Sequence, residues 1–190
     1  MVGIDFCTAH SGIAWKFSTD EGTPDLVTSW TSTLSHNSEI PKVPSAIYYD
    51  QDGTGSIPWG HGILVKVRSI KWFKLLLVDD ADLQKHIKWS SRVEETKAAI
   101  QKLNKDAIEV TSDFLRQLWG HSSETIKEAE GDALVDSTPI YITVPAIWTD
   151  YARDRVPKAV DLAGICAPRL CGKTKLSLIS EPVLFRRCGC

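Results

Sequence analysis

The chain has 190 residues, of which 43% are hydrophobic and 24% charged, so its length and composition suit one globular domain with a core and argue against disorder. The net charge is −2 and the basic residues are scattered, which argues against a nucleic-acid partner. No apolar run approaches the ~20 residues of a membrane span, so we predict no membrane partner. Because the N-terminus also lacks a basic leader, we predict a cytoplasmic location, where the five cysteines would be reduced.

The first part of the chain has the pattern of a small sheet. Four short apolar runs bounded by polar or proline-containing segments predict strands: residues 2–6, 12–17, 26–30 and 45–49. The polar residues 7–11 lie between the first two runs, which predicts a hairpin. Residues 50–55, rich in aspartate and glycine, predict an exposed turn.

The second part of the chain alternates helix and strand signals. Apolar residues recur at helical spacing from Ile108 to Ser122, which predicts an amphipathic helix of roughly twenty residues. The runs 140–144 and 176–179 predict strands, and a helix capped by Thr149 or Asp150 is expected between them. Strands followed by mixed helix and strand predict an α/β layer architecture.

Pro157 lies inside that last predicted helix. Proline has no N–H to donate to the carbonyl four residues earlier, and its ring presses on that carbonyl. We therefore predict that Pro157 kinks or interrupts the helix.

Three stretches, taken in order, resemble the nucleotide-binding domain of the heat-shock protein 70 family, particularly its divergent fungal-type members. Residues 2–11 (VGIDFCTAHS) are similar to the family's first phosphate loop. Residues 142–146 with 159–164 are similar to a following strand and helix, and 178–182 to the strand that carries a catalytic glutamate. The resemblance implies an actin-like ATPase (ribonuclease H-like) fold, first lobe only, with a mixed sheet and flanking helices over residues 1–182.

The resemblance also implies a nucleotide site for ATP or ADP with Mg²⁺. Asp5 would hold the water shell of the magnesium ion, since hard cations prefer oxygen ligands. The loop formed by Cys7, Thr8, Ala9 and His10 would bind phosphate, because a tight hairpin turns backbone N–H groups toward phosphate oxygens.

Two further residues would take catalytic roles by the same resemblance. Glu181 would orient or deprotonate the attacking water. Lys74, with Lys71 as the alternative, would contact the phosphate that is transferred and stabilise its developing charge.

The sequence also departs from the family pattern. Cys7 stands where the family has glycine, which admits the phosphates closely, and Ala9 stands where the family has threonine. Residues 183–190 have no resemblance to the family, and neither a second phosphate loop nor a second lobe follows. We therefore expect ATP binding with impaired or no hydrolysis.

Several alternatives stand beside this hypothesis. The chain could be a non-enzymatic remnant that acts only through protein contacts, its partners being unfolded clients or co-chaperones. Residues 167–174 resemble a P-loop but lack its first glycine and run on into a predicted strand. A zinc site is a further alternative, with four late cysteines as its candidate ligands: Cys166, Cys171, Cys188 and Cys190.

Overall fold

The computed structural model describes residues 1–16, 21–33, 40–50, 57–132, 135, 138–167 and 174–180. The strands are β1 Val2–Asp5, β2 His10–Trp15, β3 Asp25–Leu26, β4 Val43–Pro44, β5 Ala46–Ile47, β6 Ile70–Lys71, β7 Ile140–Val144 and β8 Leu176–Ser180. The α-helices are α1 Lys85–Lys88, α2 Ser91–Lys102, α3 Ala107–Glu130 and α4 Asp150–Leu162, with 3₁₀ helices at Gly60–Gly62 and Phe73–Leu77.

The main sheet is mixed, with the strand order β3-β2-β1-β7-β8 and β4 paired to β2. Strands β1 and β2 form the predicted antiparallel hairpin, in which Asp5 lies opposite Gly12. Strand β7 then pairs parallel with β1, and β8 parallel with β7, so these three strands end at the same edge. The predicted α/β class with a mixed sheet and flanking helices is confirmed.

Some of the predicted strands are shorter in the structure than the sequence predicts. The run 140–144 is confirmed, but the run 26–30 pairs only as Asp25–Leu26. Beyond it the Val27 amide donates to the Ile13 carbonyl, and the Trp30 indole donates to the Ile40 carbonyl at 2.7 Å, so burial continues without a strand. The strand predicted at residues 45–49 is also shorter in the structure, where only β5 falls in this range. Ser45 turns toward the β1–β2 loop and separates β4 from β5.

One face of the sheet forms the core. Alternate residues of β1 and β7, such as Val2 and Ile142, are fully buried. They join one cluster with Phe114 of α3 and Val156 of α4. Burial of this apolar area is the main stabilising contribution to such a fold.

Helix α3 has 24 residues and extends beyond the predicted Ile108–Ser122 stretch. Its start is fixed by a capping box: the Asp106 carboxylate accepts from the Glu109 amide at 2.8 Å, and the Glu109 carboxylate accepts from the Asp106 amide at 2.7 Å. This arrangement satisfies two amides that a helix N-terminus otherwise leaves unpaired. Among the described helices, none combines the length and apolar character needed to cross a membrane.

Helix α4 begins after Thr149, as predicted, and runs through Pro157 to Leu162. The predicted interruption at Pro157 is therefore wrong, while a kink there stays a prediction. The helix continues because Val156 and Val160, on either side of the proline, are fully buried in the core, and this packing holds the backbone in helical conformation.

Pro157→Ala is expected to raise the free energy of unfolding by about 2–3 kcal/mol, since alanine restores the hydrogen bond to the Arg153 carbonyl. For a chain of this size that corresponds to a melting temperature roughly 5–10 °C higher, measurable by calorimetry. Lys158→Ala, at an exposed position of the same helix, is the control and should change little. An unchanged melting temperature for Pro157→Ala would contradict the prediction.

Candidate functional site

The loop between β1 and β2 is held in place by two serines. The Cys7 amide donates to Ser11 Oγ at 3.3 Å, and Ser45 Oγ donates to the Cys7 carbonyl at 2.7 Å. The two hydroxyl oxygens lie 2.8 Å apart, and the Ser45 amide donates to the Ala9 carbonyl at 2.8 Å. Because both serines are buried, these bonds fix the course of the loop backbone.

Asp5, at the end of β1, is surrounded by hydrogen-bond donors. Lys42 Nζ lies 2.7 Å from its Oδ2, while Thr143 Oγ1 and Cys7 Sγ donate to its Oδ1 at 3.0 and 3.2 Å. Partial burial alone would raise the pKa of Asp5, but the bonds from Lys42, Cys7 and Thr143 and the charge of Lys42 outweigh it and lower this pKa. Asp5 is therefore held as a carboxylate.

The groups around Asp5 do not suit a magnesium ion. Mg²⁺ usually keeps most of its waters and contacts one or two carboxylates, whereas the Asp5 carboxylate already accepts from an ammonium, a thiol and a hydroxyl of this chain. Within the described part of the chain, no three His, Cys, Asp or Glu side chains are grouped so that they could hold a metal. The arrangement fits an internal ion pair better than the predicted metal-side role.

Lys74 lies in the second 3₁₀ helix and is only 3% exposed. Its ammonium donates to the Phe6 carbonyl, at the start of the loop. It also lies 5.1 Å from the centre of the Phe6 ring and 5.4 Å from that of Trp148. The structure thus brings Lys74 to the predicted phosphate loop, behind its backbone.

The other side of the loop opens on a cleft of about 580 Å³. Thr8, Ala9 and His10 form one wall. The opposite wall, from α2, β6 and the residues just before β6, carries the carboxylate Glu95 and three cations that sequence reasoning did not combine with the loop: Arg68, Lys71 and Arg92.

Cations and backbone donors therefore share this cleft. Among the described residues, no acceptor is hydrogen-bonded to the amides of Thr8 and Ala9. Arg92 lies over the Trp72 ring at 5.4 Å, and Arg68 is paired with Glu95 at 2.7 Å. Unpaired amides and neighbouring guanidinium and ammonium groups are the donors that recognise phosphate.

The predicted site residues are thus close in the fold but face two cavities. Thr8, Ala9 and His10 line the cleft, together with Lys71, the alternative to Lys74. Asp5 instead lines a second cavity of about 340 Å³ on the sheet face opposite the core.

Some predictions lie outside the described residues. Glu181, the predicted catalytic residue, is one of them. The turn at 51–55, most of the P-loop-like stretch, the tail 183–190 and three of the four late cysteines also lie outside them. Of the predicted zinc ligands only Cys166 is described, and it forms no disulfide with another described residue.

Asp113 of α3 is a second carboxylate with a lowered pKa. Burial would raise its pKa, but hydrogen bonds from Lys105 (2.9 Å), Tyr49 (2.8 Å) and Arg116 (2.7 Å) outweigh burial. Burial and the neighbouring Asp113 carboxylate raise the pKa of the Tyr49 phenol in turn. This network ties the segment after β5 to α3.

A lowered native-state pKa makes stability depend on pH in the acid range. The Asp113 contribution is complete above the unfolded-state pKa of about 3.9 and is lost as pH falls through the lower native value. Asp113→Asn should therefore cost about 1–3 kcal/mol at pH 7 in urea titrations, and less at about pH 2–3. An equal loss at both pH values would contradict this prediction, and Asp154→Asn, at an exposed site, is the control.

No protein-family model and no curated protein matches this chain.

Proposed function

We propose that this chain binds the phosphates of ATP or ADP through the loop at residues 7–10, as a divergent first lobe of the heat-shock-70 type, without efficient hydrolysis. The observation that carries the proposal is the shared cleft: Thr8 and Ala9, whose amides have no hydrogen-bond acceptor among the described residues, line it together with Arg68, Lys71 and Arg92. A polyphosphate can accept hydrogen bonds from both walls, from the loop amides on one side and from the cations on the other.

The fold supports the finer assignment to an actin-like ATPase. The mixed sheet with flanking helices is compatible with the fold that the sequence resemblance implies. A cytoplasmic chaperone role, with client or co-chaperone partners, belongs to the same proposal.

Calorimetric titration with ATP, ADP and adenosine tests the proposal. ATP and ADP should bind saturably and adenosine weakly, because the cleft supplies phosphate donors. Arg92→Gln should weaken ATP binding about tenfold, the effect of one charge-assisted hydrogen bond. Lys158→Gln removes one positive charge from an exposed site on α4 and should leave the affinity unchanged.

A second candidate, a non-enzymatic protein that acts through contacts, is favoured by the outer sheet face. Leu26 and Ile179 are 48% and 47% exposed there, on either side of the small residues Gly3 and Ala14. Exposed apolar surface of this kind is typical of interaction sites. No heat of binding for ATP or ADP, together with reduced self-association or partner binding in Ile179→Asp, would favour this candidate.

A further inference from the structure

We propose that the nucleotide lies lengthwise in a groove along α2, with its nucleoside beyond the phosphate cleft and its base against Tyr48. This inference rests on the proposed function and deepens it, because it gives the nucleoside a place in the structure. The cleft beside the loop forms one end of the groove, and a cavity of about 680 Å³ forms the other. The two ends share four lining residues: Arg68, Ile70, Glu95 and Ala99.

The backbone gives the groove its direction. Strands β5 and β6 pair antiparallel, with Ala46 opposite Lys71 beside the cleft and Ile47 opposite Ile70 one step further on. Helix α2 runs beside these strands, since its residues between 92 and 99 line the cleft and residues from 95 to 103 line the cavity. From residue 92 to residue 102 a helix rises about 15 Å. Cleft and cavity therefore follow each other along one helix.

The two ends of the groove differ in chemistry. Lys71 and Arg92 line the cleft, which concentrates positive charge beside the loop. The other end, called the tyrosine end, is lined by aromatic and apolar residues with one lysine among them: Tyr48, Tyr49, Val67, Ala98, Lys102 and Leu103. A nucleotide has the same division, because its phosphates are charged whereas its base presents a flat face that stacks on aromatic rings.

Tyr48 is the residue that fits the base. Its neighbour Tyr49 is engaged by other groups, since its phenol donates to Asp113 at 2.8 Å and the Lys105 ammonium lies 5.3 Å from its ring centre. Tyr48 is half-buried, and within the described part of the chain its phenol has no hydrogen-bond partner. Its ring is therefore the platform that the tyrosine end offers to a base.

Glu95 lies where the two ends meet. Its carboxylate is paired with Arg68 at 2.7 Å, and the two side chains are 58% and 79% exposed. A carboxylate accepts several hydrogen bonds, and the ribose hydroxyls, which lie between the phosphates and the base, can donate to it. Glu95 therefore suits the sugar of a nucleotide, whereas a polyphosphate extended along the whole groove would be repelled there.

Calorimetric titration of the full chain with ATP and with inorganic tripolyphosphate tests the inference. The wild type should bind ATP about tenfold more tightly than tripolyphosphate, the effect of one base stacked on an aromatic ring. Tyr48→Leu removes the ring, and Ala98→Trp fills the tyrosine end from an exposed position of α2. Each variant should lose the preference for ATP and keep its affinity for tripolyphosphate within about twofold, because the phosphate end is unchanged.

Ala129→Trp, at an exposed position of α3, is the matched control and should bind both ligands as the wild type does. Equal affinity of the wild type for ATP and tripolyphosphate would overturn the inference and leave phosphate binding standing. A preference for ATP that Tyr48→Leu and Ala98→Trp both retain would overturn it as well. Binding of neither ligand would overturn the proposed function, and the place of the nucleoside with it.

Discussion

Phe114→Ala is expected to lower the free energy of unfolding by about 3–5 kcal/mol, the usual cost of truncating a fully buried phenylalanine. Phe114 is 0% exposed, and its ring centre lies 5.4 Å from that of Phe73, 6.1 Å from Trp59 and 6.2 Å from Phe6. Truncation removes three aromatic contacts at once and leaves a cavity in their midst.

This substitution also bears on the candidate site. Phe6 carries the carbonyl that accepts from Lys74, and it begins the loop at residues 7–10. Urea unfolding measures the stability loss, and Leu162→Ala, at a 57% exposed apolar position, should stay within about 0.5 kcal/mol of the wild type. A loss below about 1 kcal/mol for Phe114→Ala would mean that the ring cluster is not part of a close-packed core.

Sequence reasoning succeeded where the signal is local. The β-branched run that became β7 sits in the middle of the sheet, where burial on one face reinforces its intrinsic preference. The hairpin of β1 and β2 was recognised for the same reason, since its two strands and turn are adjacent in sequence. At Asp25–Leu26 the strand lies at the sheet edge, and tertiary contacts of Val27 and Trp30 determined where it ended.

The candidate site shows the same division between local and distant signals. Thr8, Ala9 and His10 belong to one short loop, so their common position followed from the hairpin. Arg92 comes from α2, more than eighty residues away in sequence, and no periodicity connects it to the loop.

The burial of Lys74 is a feature that the sequence pattern does not predict. Lysine in a short helical stretch is usually solvated, yet the surrounding apolar residues bury it against Phe6 and Trp148. Such burial depends on how distant segments pack, which a pattern of neighbouring residues does not specify.

The 190-residue chain is expected to show no ATP turnover above background. Phosphoryl transfer depends on positioned charge and donors, and the loss of one such donor typically costs about 10²–10³ in rate. Here Cys7 stands where the heat-shock-70 loop that this segment resembles has glycine, Ala9 supplies no hydroxyl, and the Lys74 ammonium donates to the Phe6 carbonyl. Asp5 is paired with Lys42, which leaves that carboxylate poorly suited to hold a metal.

These losses act on the transition state and less on binding, so turnover is expected to be absent even where ATP binds. Phosphate release from ATP, followed over hours, should match that of the Asp5→Asn variant and of a buffer blank. The double variant Cys7→Gly with Ala9→Thr restores the family's residues and should bind ATP more tightly than the wild type, because its loop admits the phosphates more closely and offers a hydroxyl. Phosphate release by the wild type that Asp5→Asn abolishes would show that the loop is catalytic as it stands. The ion pair between Asp5 and Lys42 would then have to break during the reaction.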